Sequence, residues 1–210
     1  TLGPLKPDFL KCSGLNNTNV VSSLSHDTAC AVAACPTDRT RWAYISSGTW
    51  SLIGLELNEP ILTEDCRELN FTNEIGFGNS TRLLKNIIGL WLVQECRRSW
   101  ANQGNEYSYE QLTEMAINSK PHQSVLNPLD PRFIAPDNMP KLISEICNET
   151  NQLVPNTPGE IIRCALESLA LLYAKTLSEA EKLVGWKAEK LHIVGGGSKN
   201  VLLNQLTADA

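Results

Sequence analysis

At 210 residues the chain has length for one large domain or a domain and a half, and its 42% hydrophobic and 20% charged residues suit a compact fold and exclude a disordered chain. With a net charge of -5 and scattered Lys and Arg, it carries no basic stripe for a nucleic-acid backbone or an anionic membrane. The longest mainly apolar stretch, around Leu83 to Val93, is broken by Lys85 and Asn86 and falls short of the about 20 apolar residues that span a bilayer.

Thr1 to Lys11 holds no basic stretch followed by an apolar run, so the cytosol is the expected location and the four N-x-S/T matches at Asn16, Asn70, Asn79 and Asn148 read as chance. None of the seven cysteines forms a C-x-x-C pair, which argues against structural zinc. Cys147 and Cys164 flank a Pro-containing loop and would meet if two helices pack side by side. The chain starts without Met and stops at Ala210 inside an apparent helix, so it reads as a fragment with more chain expected to follow.

In chain order, Val20 to Leu24 predicts a short strand, Ser25 to Asp27 a turn, and Thr28 to Cys35 a small-residue helix ended by Pro36. Trp42 to Ser46 and Ser51 to Leu57 predict a hairpin, with Ser47, Gly48 and Thr49 suited to its tight turn. Phe71 to Ile75 predicts a further strand. Leu83 to Trp100 carries apolar groups almost all round and predicts a buried helix, on which Asn86 and Gln94 would lie roughly 12 Å apart along the axis. Helices follow at Tyr109 to Asn118, Pro140 to Thr150 and Pro158 to Val184, with a Pro-rich stretch from Pro121 to Pro140 between the first two. Leu191 to Val194 predicts an apolar strand that runs through Gly195, Gly196 and Gly197 into a last helix from about Asn200.

Three turns rich in glycine or hydroxyl groups follow strands: Ser25-His26-Asp27-Thr28, Ser46-Ser47-Gly48-Thr49 and Gly195-Gly196-Gly197-Ser198. Such turns suit a phosphate chain, because backbone N–H groups approach closely where no Cβ intervenes and helix starts add a favourable dipole. The spacing before Lys199 is not that of a Walker loop, so a nucleotide site here belongs to another architecture. Asp27 reads either as a base that takes a hydroxyl proton or as a helix N-cap. His26 reads as a structural hydrogen-bonding residue, with no second His near it for a metal. Thr49 and Gly196 read either as ligand contacts or as plain turn residues, and Asn86 and Gln94 either as site residues or as partners of buried backbone groups.

The stretches SHDTACAVAA, AYISSGTWSLIG, FTNEIG, RLLKNIIGLWLVQECRRSW, NPLDPRF and LHIVGGGSKNVLLNQLTADA, in that order from about Val20 to Ala210, resemble the second half of the rhamnulokinases. These belong to the larger carbohydrate kinase family with xylulose, glycerol and fuculose kinases. The resemblance implies an α/β, actin-like and ribonuclease H-like fold in two domains, of which residues 1–210 are the carboxyl-terminal, nucleotide-binding one. It implies transfer of the terminal phosphoryl group of ATP to a ketose, L-rhamnulose, with Mg2+ on the phosphates and an amino-terminal domain completing the cleft. The isolated fragment is then expected to be inactive. By motif position Asp27 matches the family's catalytic base, His26, Thr28 and Asn86 its sugar contacts, and Thr49, Gln94 and Gly196 its ATP contacts; no protein ligand to a metal is implied. A kinase for fuculose or xylulose, and a non-catalytic ATP- or sugar-binding regulator on the same fold, stay open as alternatives.

Overall fold

A computed structural model describes residues 2–24, 26–37 and 41–210. Its elements in chain order are β1 (Gly3–Pro4), α1 (Pro7–Ser13), β2 (Asn19–Val20), α2 (Asp27–Ala33), β3 (Trp42–Ser47), β4 (Trp50–Leu57), α3 (Glu64–Glu68), β5 (Thr72–Ile75), β6 (Thr81–Ile88), α4 (Trp91–Ala101), α5 (Tyr109–Ile117), α6 (Met139–Glu149), α7 (Pro158–Val184), β7 (Lys190–Val194) and α8 (Val201–Asp209). β1 and β2 pair with each other; the others form a five-stranded sheet in the order β5-β6-β4-β3-β7. β3 runs antiparallel to β4 and parallel to β7, and β6 runs antiparallel to β4. The carboxyl ends of β3, β6 and β7 therefore share one edge of the sheet.

Side-chain alternation assigns the two faces. Ile45, Ile53 and Ile87 point to one face and join the main core with α4 to α8, where Leu92, Leu112, Ile143 and Leu169 are buried. Trp42, Tyr44 and Leu84 point to the other and form a smaller cluster with Val32 of α2. α7 is pinned at both ends: Thr157 and Glu160 make a reciprocal capping box, Pro158 starts the first turn, and Gly185 closes the helix at φ 74°. Lys85 reaches Glu179 of α7 at 3.0 Å, an ion pair between the sheet and that helix.

The structure departs from the sequence expectations at several elements. The predicted strand Val20 to Leu24 shrinks to β2, because only Asn19 and Val20 find partners, on Gly3 and Pro4. The predicted helix Leu83 to Trp100 is a strand and a helix, β6 and α4, joined by Gly89 and Leu90. β6 is flanked by β4 and β5, and Leu83, Leu84, Ile87 and Ile88 are buried on its two faces. A strand covered on both faces loses its period-two signature and looks like a buried helix in sequence. Asn86 and Gln94 consequently lie on different elements, and the spacing along one helix axis does not apply.

The predicted turn through Ser25 falls partly outside the described residues. Helix α2 spans Asp27 to Ala33, short of the predicted Cys35. All seven cysteines are free thiols. Cys147 and Cys164 do meet where α6 and α7 pack, and a hydrogen bond from the Cys164 thiol draws the Cys147 thiol below its ordinary pKa. Among the described residues, no helix is long and apolar enough to cross a membrane.

Candidate functional site

The shared strand edge is built from two turns that lock together. Ser47, the last residue of β3, lies between the Gly48-Thr49 turn and the Gly195-Gly197 turn that follows β7. Gly195 adopts φ +87°, and a Cβ on it would stand 2.6 Å from the Ser47 carbonyl oxygen. A Cβ on Gly197 would overlap Ser47 Oγ, whereas one on Gly196 would meet nothing within 4 Å. The outer two glycines thus let the turn close onto β3, and the middle one leaves its backbone facing open space.

The Gly48-Thr49 turn also holds the start of α4. Gly89 N–H and Trp91 N–H donate to the Thr49 carbonyl at 3.1 and 3.0 Å, and Leu90 N–H donates to the Gly48 carbonyl at 2.9 Å. This brings Gln94, one turn into α4, under the hairpin tip, where Thr49 Oγ1 donates to Gln94 Oε1 at 3.0 Å. Gly89 is required for the approach, since a Cβ there would sit 2.5 Å from Ser51 Oγ. Below both turns, Ser51 Oγ and the Tyr173 hydroxyl of α7 are 2.7 Å apart. Burial pushes the Tyr173 hydroxyl above its ordinary pKa, against the pull of Ser51 and Ser47, so it stays protonated and able to donate.

On the opposite face of the sheet, Ser46, Leu52 and Asn86 form one row across β3, β4 and β6. Ser46 Oγ lies 3.3 Å from Thr28 Oγ1, which ties the first turn of α2 to this row. His26 occupies the N-cap position of α2 without a side-chain capping bond, and Asp27 is the first helical residue. The Asp27 carboxylate accepts from the Thr28 amide at 2.6 Å, lies 3.6 Å from His26 Nδ1, and its side chain is 95% exposed. Asp27 is thus not the capping residue, although a carboxylate in the first turn still complements the helix dipole. Asn86, two strands away from Ser46 at roughly 10 Å by strand spacing, is also exposed.

Of the residues singled out by sequence, Thr49 and Gln94 touch, Gly196 stands in the neighbouring turn, and Thr28, with His26 and Asp27 beside it, touches Ser46 in the row that ends in Asn86. Ser46 and Ser47 join the two groups, since alternation sends one side chain to each face. Sequence reasoning missed Ser51 and Tyr173 as supports. The alternation of β3 and β4 was readable, but nothing local connects Ser51 to a helix residue 122 positions away.

The fold is that of solved sugar kinases. A xylulose kinase from Rhodospirillum rubrum superposes with a TM-score of 0.69 at 13% identity, over 99% of this chain and 41% of that one. A gluconate kinase from Lactobacillus acidophilus gives 0.67 at 13% identity, over 98% of this chain and 41% of that one. Residues 43–210 match the FGGY family of carbohydrate kinases, C-terminal domain, and the chain belongs to that family. Among curated relatives, the rhamnulokinase of Bacillus subtilis (strain 168) is 44% identical over 208 residues, 99% of this chain and 42% of that protein. The rhamnulokinase of Bacteroides thetaiotaomicron is 44% identical over 209 residues, 100% of this chain and 42% of that protein. The chain therefore spans about two fifths of the length of these relatives.

Proposed function

We propose that the chain is the carboxyl-terminal, nucleotide-binding part of a cytosolic kinase that phosphorylates L-rhamnulose on its 1-hydroxyl in rhamnose catabolism. The observation that carries this reading is the strand edge itself: the Thr49–Gln94 pair and the open Gly196 backbone on one side of Ser46-Ser47, and Asp27, Thr28 and Asn86 on the other. The names and identities of the rhamnulokinase relatives support the choice of sugar.

In this reading, the Thr49 backbone N–H and the Gly195-Gly197 turn hold the ATP phosphates, Gln94 accepts the Thr49 hydroxyl proton and so fixes the hairpin turn beside ATP, and Gly196 lies against the adenosine. His26, Thr28 and Asn86 bind sugar hydroxyls. Asp27 orients the 1-hydroxyl and takes its proton as that oxygen attacks the terminal phosphorus and the bond to the ADP oxygen breaks; positioning and charge stabilisation supply most of the rate. Among the described residues, no three His, Cys, Asp or Glu side chains gather to hold a metal ion. Mg2+ would arrive on the phosphates and supply charge neutralisation there, with water filling most of its shell. An amino-terminal domain of the same kinase would close the cleft.

The direct test is Asp27→Asn in the intact enzyme, which keeps shape while removing the base. kcat should fall on the order of 10² to 10⁴, the usual worth of a positioned base, with melting temperature and ATP affinity retained. Wild-type kcat in a folded Asp27→Asn enzyme would contradict the mechanism.

A further inference from the structure

The floor beside Asp27 and Asn86 contains an aromatic side chain that the fold does not use. Trp50 opens β4 and pairs with Ile88, one step along the same face from the Leu52–Asn86 pair. Its neighbour Ser51 points the other way, to Tyr173, so alternation places the indole on the face of Ser46 and Asn86. There Trp50 is 47% exposed and takes part in none of the three hydrophobic clusters. By contrast Trp42, on the same face, is buried against Tyr44 and His192.

A ketose is amphipathic. Its hydroxyls need polar partners, while its C–H groups, including the terminal methyl of a 6-deoxy sugar, gain from leaving water against an apolar surface. An indole is large, flat and rigid, so it offers that surface at low entropic cost. On this floor Asn86 and Asp27 supply the polar contacts, and Trp50, diagonal to Asn86 across two neighbouring strands, is the exposed aromatic within reach of the same small molecule.

We propose that Trp50 is a sugar-contacting, specificity-determining residue whose indole packs against the C–H face of the bound ketose. This rests on the sugar-kinase reading above, with Asp27 and Asn86 at the sugar. The face would otherwise be covered by another part of the same enzyme, and that alternative separates in solution.

The test uses the intact enzyme with L-rhamnulose and ATP varied separately. Trp50→Leu should raise KM for the ketose by about tenfold, the scale of a lost apolar pocket contact, while KM for ATP stays within about twofold, since uniform binding to one substrate is lost. Trp50→Phe keeps a flat ring and should retain most of the ketose affinity. Titration with ketose alone should quench tryptophan fluorescence in the wild type, and that quench should disappear in Trp50→Phe. Wild-type KM for the ketose in folded Trp50→Leu, or an undiminished quench in Trp50→Phe, overturns the proposal; the second readout holds even if Trp50→Leu fails to fold. If the wild-type enzyme does not phosphorylate rhamnulose, the function itself falls. If it does and the Trp50 variants match it, only the indole contact falls.

Discussion

Thr49 shows how a turn residue is held in one orientation, with its hydroxyl proton committed to Gln94. Its carbonyl is tied to Gly89 and Trp91 and its hydroxyl to Gln94, so both ends of the residue are oriented by the β6–α4 junction. A turn threonine without such partners would choose among rotamers, and part of any ligand's binding energy would go into ordering it. Gln94→Ala removes the acceptor and leaves the backbone ties. The intact enzyme carrying it should lose about three- to tenfold in ATP affinity, the worth of one net hydrogen bond, with the KM for sugar unchanged. Calorimetric titration with ATP checks this, and an equal loss for both substrates would show that Gln94 only holds the fold.

At the scale of elements, what could be read in the sequence depended on whether local chemistry decided the structure. The β3–β4 hairpin and α7 were legible because their signals are local: β-branched and aromatic runs around Ser47, Gly48 and Thr49, and Pro158 and Gly185 at the helix ends. The break between β6 and α4 was not, because an apolar run buried on two faces has no period to read and the single marker, Gly89, looks like a tolerated helix glycine. The three glycines after β7 announced a turn, but their different duties follow from Ser47, a residue 148 to 150 positions earlier in sequence. That difference is testable. Gly197→Ala must displace Ser47 or the turn and should lower stability by about 1 to 3 kcal/mol, as overpacking does. Gly196→Ala has room for its methyl group, so its melting temperature should match wild type while ATP binding weakens if adenosine packs there. Denaturant unfolding of the two variants gives the comparison; equal losses in both would contradict the assigned roles.

For the molecule as a whole, the sheet and the long helix α7 form a packed back, and the candidate site residues gather at one end of the sheet. Asp27 is nearly fully exposed, and α1 buries none of its residues. Phosphoryl transfer to a sugar instead of to water requires that such a site be closed over both substrates. The remaining three fifths of the relatives' length is the expected source of that closure, and the 210-residue piece alone is expected to show little or no turnover. The measurement that bears most directly on the central claim is kcat/KM of the intact enzyme with ATP across L-rhamnulose, L-fuculose, D-xylulose and glycerol, with the 210-residue piece as control. L-rhamnulose is expected to be preferred by at least about tenfold, the discrimination that one apolar group in a fitted pocket provides; a clear preference for xylulose or glycerol would contradict the proposed function.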